Sequence, residues 1–214
     1  MRRRRIGLLN ASATIWLGVH PFIVTLGMGA ALQGATLLYT QGPAGAMPLG
    51  FDIIAYGRVL GVPLGAGITV ALFVLTAFFL RYAPFGRYIY AIGDDGPASQ
   101  LMRLPRVRVL LFVYAFCGFM ASLAAIFLVA RLGVGQPYMG QNFTLAAITP
   151  VVVGGTLLSG GRGGVIGTLL GVYLISLLNN LLNFLDISSH YQLVIQGLII
   201  ILAVSVYVEK RRRV

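Results

Sequence analysis

The chain has 214 residues, 58% hydrophobic and 10% charged. Soluble domains carry about 25% charged residues, so this composition excludes a fold whose whole surface faces water. The net charge of +11 does not point to nucleic acid, because the basic residues sit at the ends of apolar segments, where membrane orientation and anionic lipid headgroups account for them, and no basic face or aromatic platform is visible.

The start, MRRRRIGLLNASATIWLG, has a charged region and an apolar stretch broken by Asn10, Ser12 and Thr14, with no clean small-residue cleavage site. It reads as a cytoplasmic lead-in lying at the interface rather than a signal peptide. The first of six spans runs over 21–39, opened by Pro21, whose missing N–H costs nothing in a first helical turn. A Gly- and Pro-rich loop, 41–65, carries Asp52 and Arg58 and is long enough to hold a short helix. The second span covers about 66–82 and the third about 109–131. Cys117, the only cysteine, lies inside the third, which rules out an internal disulfide and a cysteine-based metal site. It is expected to be a small buried packing residue.

Gln136, Pro137, Gln141 and Asn142 mark a turn. The fourth segment, about 143–158, is short for a span and holds Pro150 and the pair Gly154–Gly155. A broken segment at membrane depth is tolerated where it packs in protein or lines a cavity. The fifth span, about 165–185, is well formed, residues 186–190 make a tight turn, and the sixth runs over about 191–208 into a basic tail. This predicts an all-α, polytopic integral membrane protein of about six transmembrane segments, one short or broken, forming a single transmembrane domain over 1–214.

On this threading, fourteen of sixteen positive charges fall on one side, and only Arg58 and Arg131 on the other. Cytoplasmic loops collect Lys and Arg, so both termini are placed in the cytoplasm and the 41–65 loop outside.

Two stretches carry candidate function. In the inner loop, Asp95 or Gly96 can cap, Pro97 can open and Pro105 can stop a short helix over ASQLMR (98–103), lying across the membrane face. Such a helix suits docking of a soluble partner; the alternative is an ordinary solvated loop. In the fifth span, Gly163, Gly167 and Gly171 recur every four residues, a spacing that lets another helix approach closely. Ser176, Asn179, Asn180 and Asn183 point to roughly the opposite side at about 100° per residue. Asparagine is costly in lipid, so this face should meet protein or water. It would line a translocation pathway, form an interface with a second copy, or bond to neighbouring helices without touching substrate.

Two decoys fall away. LSGGR (158–162) is similar to the signature motif of ABC ATPases, but no phosphate-cradling G-x-x-x-x-G-K-[ST] loop exists and the only lysine is Lys210. Ser159 and His190 would sit roughly 30 Å apart at opposite ends of the fifth span, too far for a nucleophile–base pair. No catalytic residue, metal site or cofactor is expected. His190 is expected at the interface.

The string GRYIYAIGDDGPASQLMRL (86–104) resembles the inner loop of permease subunits of bacterial ABC sugar importers, the ribose/xylose/galactose type. PFIVTLG (21–27), VVVGGTLLSGGRGGVIGT (151–168) and LLNNLLNFLDISSHYQLVIQGLIIILAV (177–204) resemble other strings of that family, in the same order. The resemblance covers residue 7 onward and implies the C-terminal portion of a permease in the bacterial inner membrane. It implies import of a monosaccharide, a separate ABC ATPase subunit, a periplasmic or extracellular sugar-binding protein and a second permease copy, with membrane lipid around them. Gly93, Asp94, Asp95, Ser99, Gln100, Leu101 and Arg103 would then receive the ATPase stroke. The rival readings are a non-transporting permease fragment and a small secondary transporter; the second needs an ionisable coupling residue in a span, yet Asp52, Asp94, Asp95, Asp186 and Glu209 lie in loops or at ends.

Overall fold

Lipid offers no partner for an unpaired backbone amide, so apolar runs of bilayer length fold as helices. The computed structural model describes residues 2–212 apart from 47, 49, 60, 95–101, 142 and 159. Within them the helices are α1 (Arg2–Leu17), α2 (Pro21–Tyr39), α3 (Ile53–Tyr56), α4 (Leu64–Tyr82), α5 (Pro84–Asp94), α6 (Arg106–Leu132), α7 (Phe143–Val153), α8 (Val165–Phe184) and α9 (Ser189–Arg212). A two-residue strand pair, β1 (Arg58–Val59) and β2 (Val62–Pro63), stands between α3 and α4. Four helices (α2, α4, α6 and α8) are long and apolar enough to cross a membrane; α7 has 11 residues, and the apolar part of α9 among the described residues is Tyr191–Ser205. The chain is therefore an all-α multi-pass membrane protein. Most of its large apolar side chains are exposed, as they are where lipid rather than water surrounds them.

The described chain divides into two units. The first holds residues 1–71 and 105–140. Its main packing is α1 on α6. A Cβ at Gly7 would stand 2.5 Å from the Tyr114 carbonyl oxygen, Ala11 one turn on is fully buried, and the Thr14 hydroxyl lies 3.3 Å from that of Tyr114. The lead-in is thus a helix packed along α6. Its polar residues do not break the helix because they bond back along it: Ser12 Oγ donates to the Leu9 carbonyl at 2.9 Å and Thr14 Oγ1 to the Asn10 carbonyl at 2.8 Å.

At one end of α6, Gly133 adopts φ 73° and its N–H donates to the Val129 carbonyl at 2.8 Å, a left-handed C-cap. The Tyr56 hydroxyl donates to the Arg131 carbonyl at 3.0 Å, and Ala44 N–H to the Gly135 carbonyl at 2.9 Å. The 41–65 loop, with its short helix and hairpin, therefore meets the turn after α6, and Arg58 and Arg131 belong to the same end. Cys117 is exposed on α6, not buried.

The second unit holds residues 72–104 and 141–214. Both α8 and α9 pack on α7. Thr149, Val152, Gly171, Ile175, Leu182 and Gln196 are its buried residues of note. Pro150 lies within α7 and removes one ladder donor. α7 stops at Val153, where Gly154 donates to the Pro150 carbonyl at 2.9 Å and Gly155 takes φ 88°.

Candidate functional site

The glycines of α8 lie where α7 crosses it. A Cβ at Gly171 would run into the Pro150 carbonyl oxygen, and one at Gly167 into the Gly154 carbonyl oxygen. At Gly163 it would meet Thr156 Cγ2 at 2.7 Å. The Thr156 and Thr168 hydroxyls are 3.5 Å apart across the same turn. At Gly167 and Gly171 the stripe thus receives the broken end of α7 backbone against backbone, a close approach that only small residues permit, while Gly163 meets the Thr156 side chain.

The polar face of α8 splits in two. Asn183 Oδ1 accepts from Gln192 Nε2 of α9 at 2.7 Å, and Asn179 Oδ1 accepts from Gln196 Nε2 at 3.0 Å. The Asp186 turn (φ 54°) sends α9 back antiparallel, and Gln192 Nε2 also donates to the Ile187 carbonyl at 3.1 Å. The result is a helical hairpin with two amide rungs one turn apart. Gln196 is only 6% exposed, and its Oε1 is buried with no hydrogen-bond partner among the described residues. Ser176 and Asn180 lie outside the rungs and are exposed. So two of the four predicted polar residues join α8 to α9, and two present amide and hydroxyl groups away from it. Gln192 and Gln196 are the partners of Asn183 and Asn179, which reading α8 alone does not reveal.

The inner loop is helical earlier in the chain than the 98–103 stretch expected to carry its helix. Pro84 opens α5, which runs to Asp94 through an aromatic-rich stretch with Phe85 and Tyr88 rings 6.3 Å apart. Gly93 is half-buried and Asp94 exposed at its end. Asp95, Gly96, Pro97, Ser99, Gln100 and Leu101 lie outside the described residues, as does Ser159. The expected helix over 98–103 therefore falls largely outside them too. Arg103 takes a left-handed backbone (φ 52°) just before α6. Gly93 lies against the α7–α8 turn: its Cβ would stand 2.7 Å from Gly161 N.

Among the described residues no group of His, Cys, Asp or Glu side chains could hold a metal ion. The polar groups on the facing sides of α8 and α9 are amides, which can donate and accept hydrogen bonds.

The model of the family described as "branched-chain amino acid transport system / permease component" matches residues 5–204. The chain belongs to this family. Among curated relatives, the ribose import permease protein of Bacillus subtilis (strain 168) is 43% identical over 187 residues, covering 86% of this chain and 58% of the relative. The ribose import permease protein of Escherichia coli (strain K12) is 41% identical over 195 residues, covering 88% and 60%. The D-allose transport system permease protein of the same strain is 32% identical over 202 residues, covering 94% and 62%. This permease-family chain thus spans about three-fifths of the length of these relatives. No solved structure matches it.

Proposed function

We propose that the chain is a permease component of a binding-protein-dependent ABC importer and that its cargo is a monosaccharide of the ribose kind. The observation that carries this reading is the 43% identity to a ribose import permease. The chemistry of the α8 face agrees with it. Ser176 and Asn180 offer neutral donors and acceptors suited to sugar hydroxyls, and an uncharged pathway neither demands nor traps an ion.

On this reading the chain performs no hydrolysis. An ATPase subunit docks on the segment from Gly93 to Arg103, including Asp94, Asp95, Ser99, Gln100 and Leu101. A sugar-binding protein delivers cargo at the end carrying the 41–65 loop, and a second permease copy completes the pathway. The chain acts as one transmembrane domain, with both termini on the cytoplasmic side of a bacterial inner membrane, an orientation supported by the fourteen-to-two distribution of its positive charges.

The test is uptake of radiolabelled ribose by cells that lack their own ribose permease and express this chain with its ATPase and binding protein. ATP-dependent accumulation at least tenfold above cells without the chain is the expected result. Background uptake, with the chain folded and inserted, would contradict the reading.

A further inference from the structure

The end of α5 and the turn joining α7 to α8 meet backbone to backbone at Gly93 and Gly160, with the Asp94 side chain also against Gly161. A Cβ at Gly93 would stand 2.7 Å from Gly161 N, one at Gly160 2.7 Å from the Gly93 carbonyl oxygen, and one at Gly161 2.6 Å from Asp94 Cα. Gly160 and Gly161 take φ 93° and 77°, so their backbones favour glycine in any case. Gly93 is different. It lies inside the last turn of α5, where glycine is worse than alanine by ~1 kcal/mol. Helical geometry does not call for glycine there; the contact with Gly161 does.

The turn is itself fixed to α8. Leu157 N–H donates to the Arg162 carbonyl at 2.9 Å and Gly160 N–H to the Leu157 carbonyl at 3.1 Å, which closes residues 157–162 on themselves. Gly163 then abuts Thr156 at the foot of α8, and Gly167 abuts Gly154. At Gly93 and Gly160 the facing atoms are backbone, at Gly161 the Asp94 side chain stands beside the Asp94 backbone, and close-packed protein transmits strain rather than yielding to it.

We propose that the Gly160–Gly161 turn is a positioning element: it takes up the movement of the end of α5 when the ATPase acts on the loop that follows, and hands it to α8 and its polar face. The proposal rests on the reading that this loop receives the ATPase.

The experiment uses the whole chain assembled with its ATPase and sugar-binding protein, comparing wild type with Gly161→Ala. The control is Gly164→Ala in the same turn, where an added Cβ meets nothing within 4 Å and φ is −158°. Gly161→Ala is expected to capture the ATPase and hydrolyse ATP at the basal rate within twofold of wild type. Stimulation of hydrolysis by sugar-loaded binding protein, and uptake, should both fall at least tenfold, while Gly164→Ala behaves as wild type. Uptake within twofold of wild type in an assembled Gly161→Ala complex would overturn the proposal, and so would an equal loss in Gly164→Ala.

If Gly161→Ala does not fold, hydrogen exchange on the unaltered chain decides. Adding the ATPase should slow exchange at 157–168 as well as after α5; protection confined to the loop after α5 would refute the seam. A wild-type chain that captures no ATPase would sink the underlying docking reading, and this proposal with it, and is recognisable because it appears without any substitution.

Discussion

Gln196 Nε2 donates to Asn179 Oδ1 at 3.0 Å, and this bond joins two membrane-embedded helices that share a third as their common packing partner. A second rung, Gln192 to Asn183 at 2.7 Å, lies one turn nearer the connecting turn. Hydrogen bonds between membrane helices couple by ~0.6 kcal/mol on average and up to ~1.7. A double-mutant cycle with Asn179→Leu and Gln196→Leu is therefore expected to give a coupling of about 1 kcal/mol in reversible detergent unfolding. Strict additivity of the two substitutions would show that the rung contributes nothing.

Asn180 lies about 100° around α8 from Asn179 and is exposed rather than held by α9. Asn180→Leu should reduce uptake about tenfold, a loss of about 1.4 kcal/mol in effective interaction, while folded yield and melting temperature stay at wild-type values. Normal uptake by this variant would remove Asn180 from the pathway and leave the amides of α8 a purely architectural role.

The fold was largely legible in the sequence because long apolar runs in lipid have one structural solution. The bounds of α2 follow from Pro21 at its first position and from the Gly42–Pro43 pair that follows Tyr39 within four residues. α6 extends past its apolar run to take in Arg106 and Arg108, whose long side chains can reach the interface from within a helical first turn. α1 was harder to read: Asn10, Ser12 and Thr14 interrupt its hydrophobic run, and its packing comes from the approach of Gly7 to Tyr114 and the burial of Ala11, a meeting of segments over a hundred residues apart. The α5 helix carried its signal in Pro84, but the stronger turn chemistry of residues 94–97 drew the expected helix downstream.

The site was legible in part. The spacing of Gly163, Gly167 and Gly171 is plain in the sequence, but nothing local says that Pro150 and Gly154 fill the groove. The glutamines were findable: Asn183 and Gln192, like Asn179 and Gln196, stand at equal distances from the middle of the turn, as an antiparallel hairpin requires. The seat of Gly93 on Gly161 was not, since α6 and α7 lie between the two in the chain.

Gly171 and Gly197 give a matched contrast in the same unit. A Cβ at Gly171 runs into the Pro150 carbonyl, while one at Gly197 meets nothing within 4 Å. Gly171→Ala should destabilise the chain by about 1–3 kcal/mol through overpacking. Gly197→Ala should be neutral or stabilise α9 by up to ~1 kcal/mol through helix propensity. Thermal unfolding in detergent reads both; equal melting temperatures for the two variants would contradict the close crossing of α7 and α8.

The central claim is that this chain is driven by a separate ATPase acting on the segment that follows α5. The direct measurement is co-purification of the chain with its ATPase subunit in detergent, with residues 93–103 intact or replaced by a Gly–Ser linker of equal length. The account predicts capture by the intact chain and at least a tenfold loss with the linker. Capture that survives the replacement, or no capture by a folded intact chain, would contradict it.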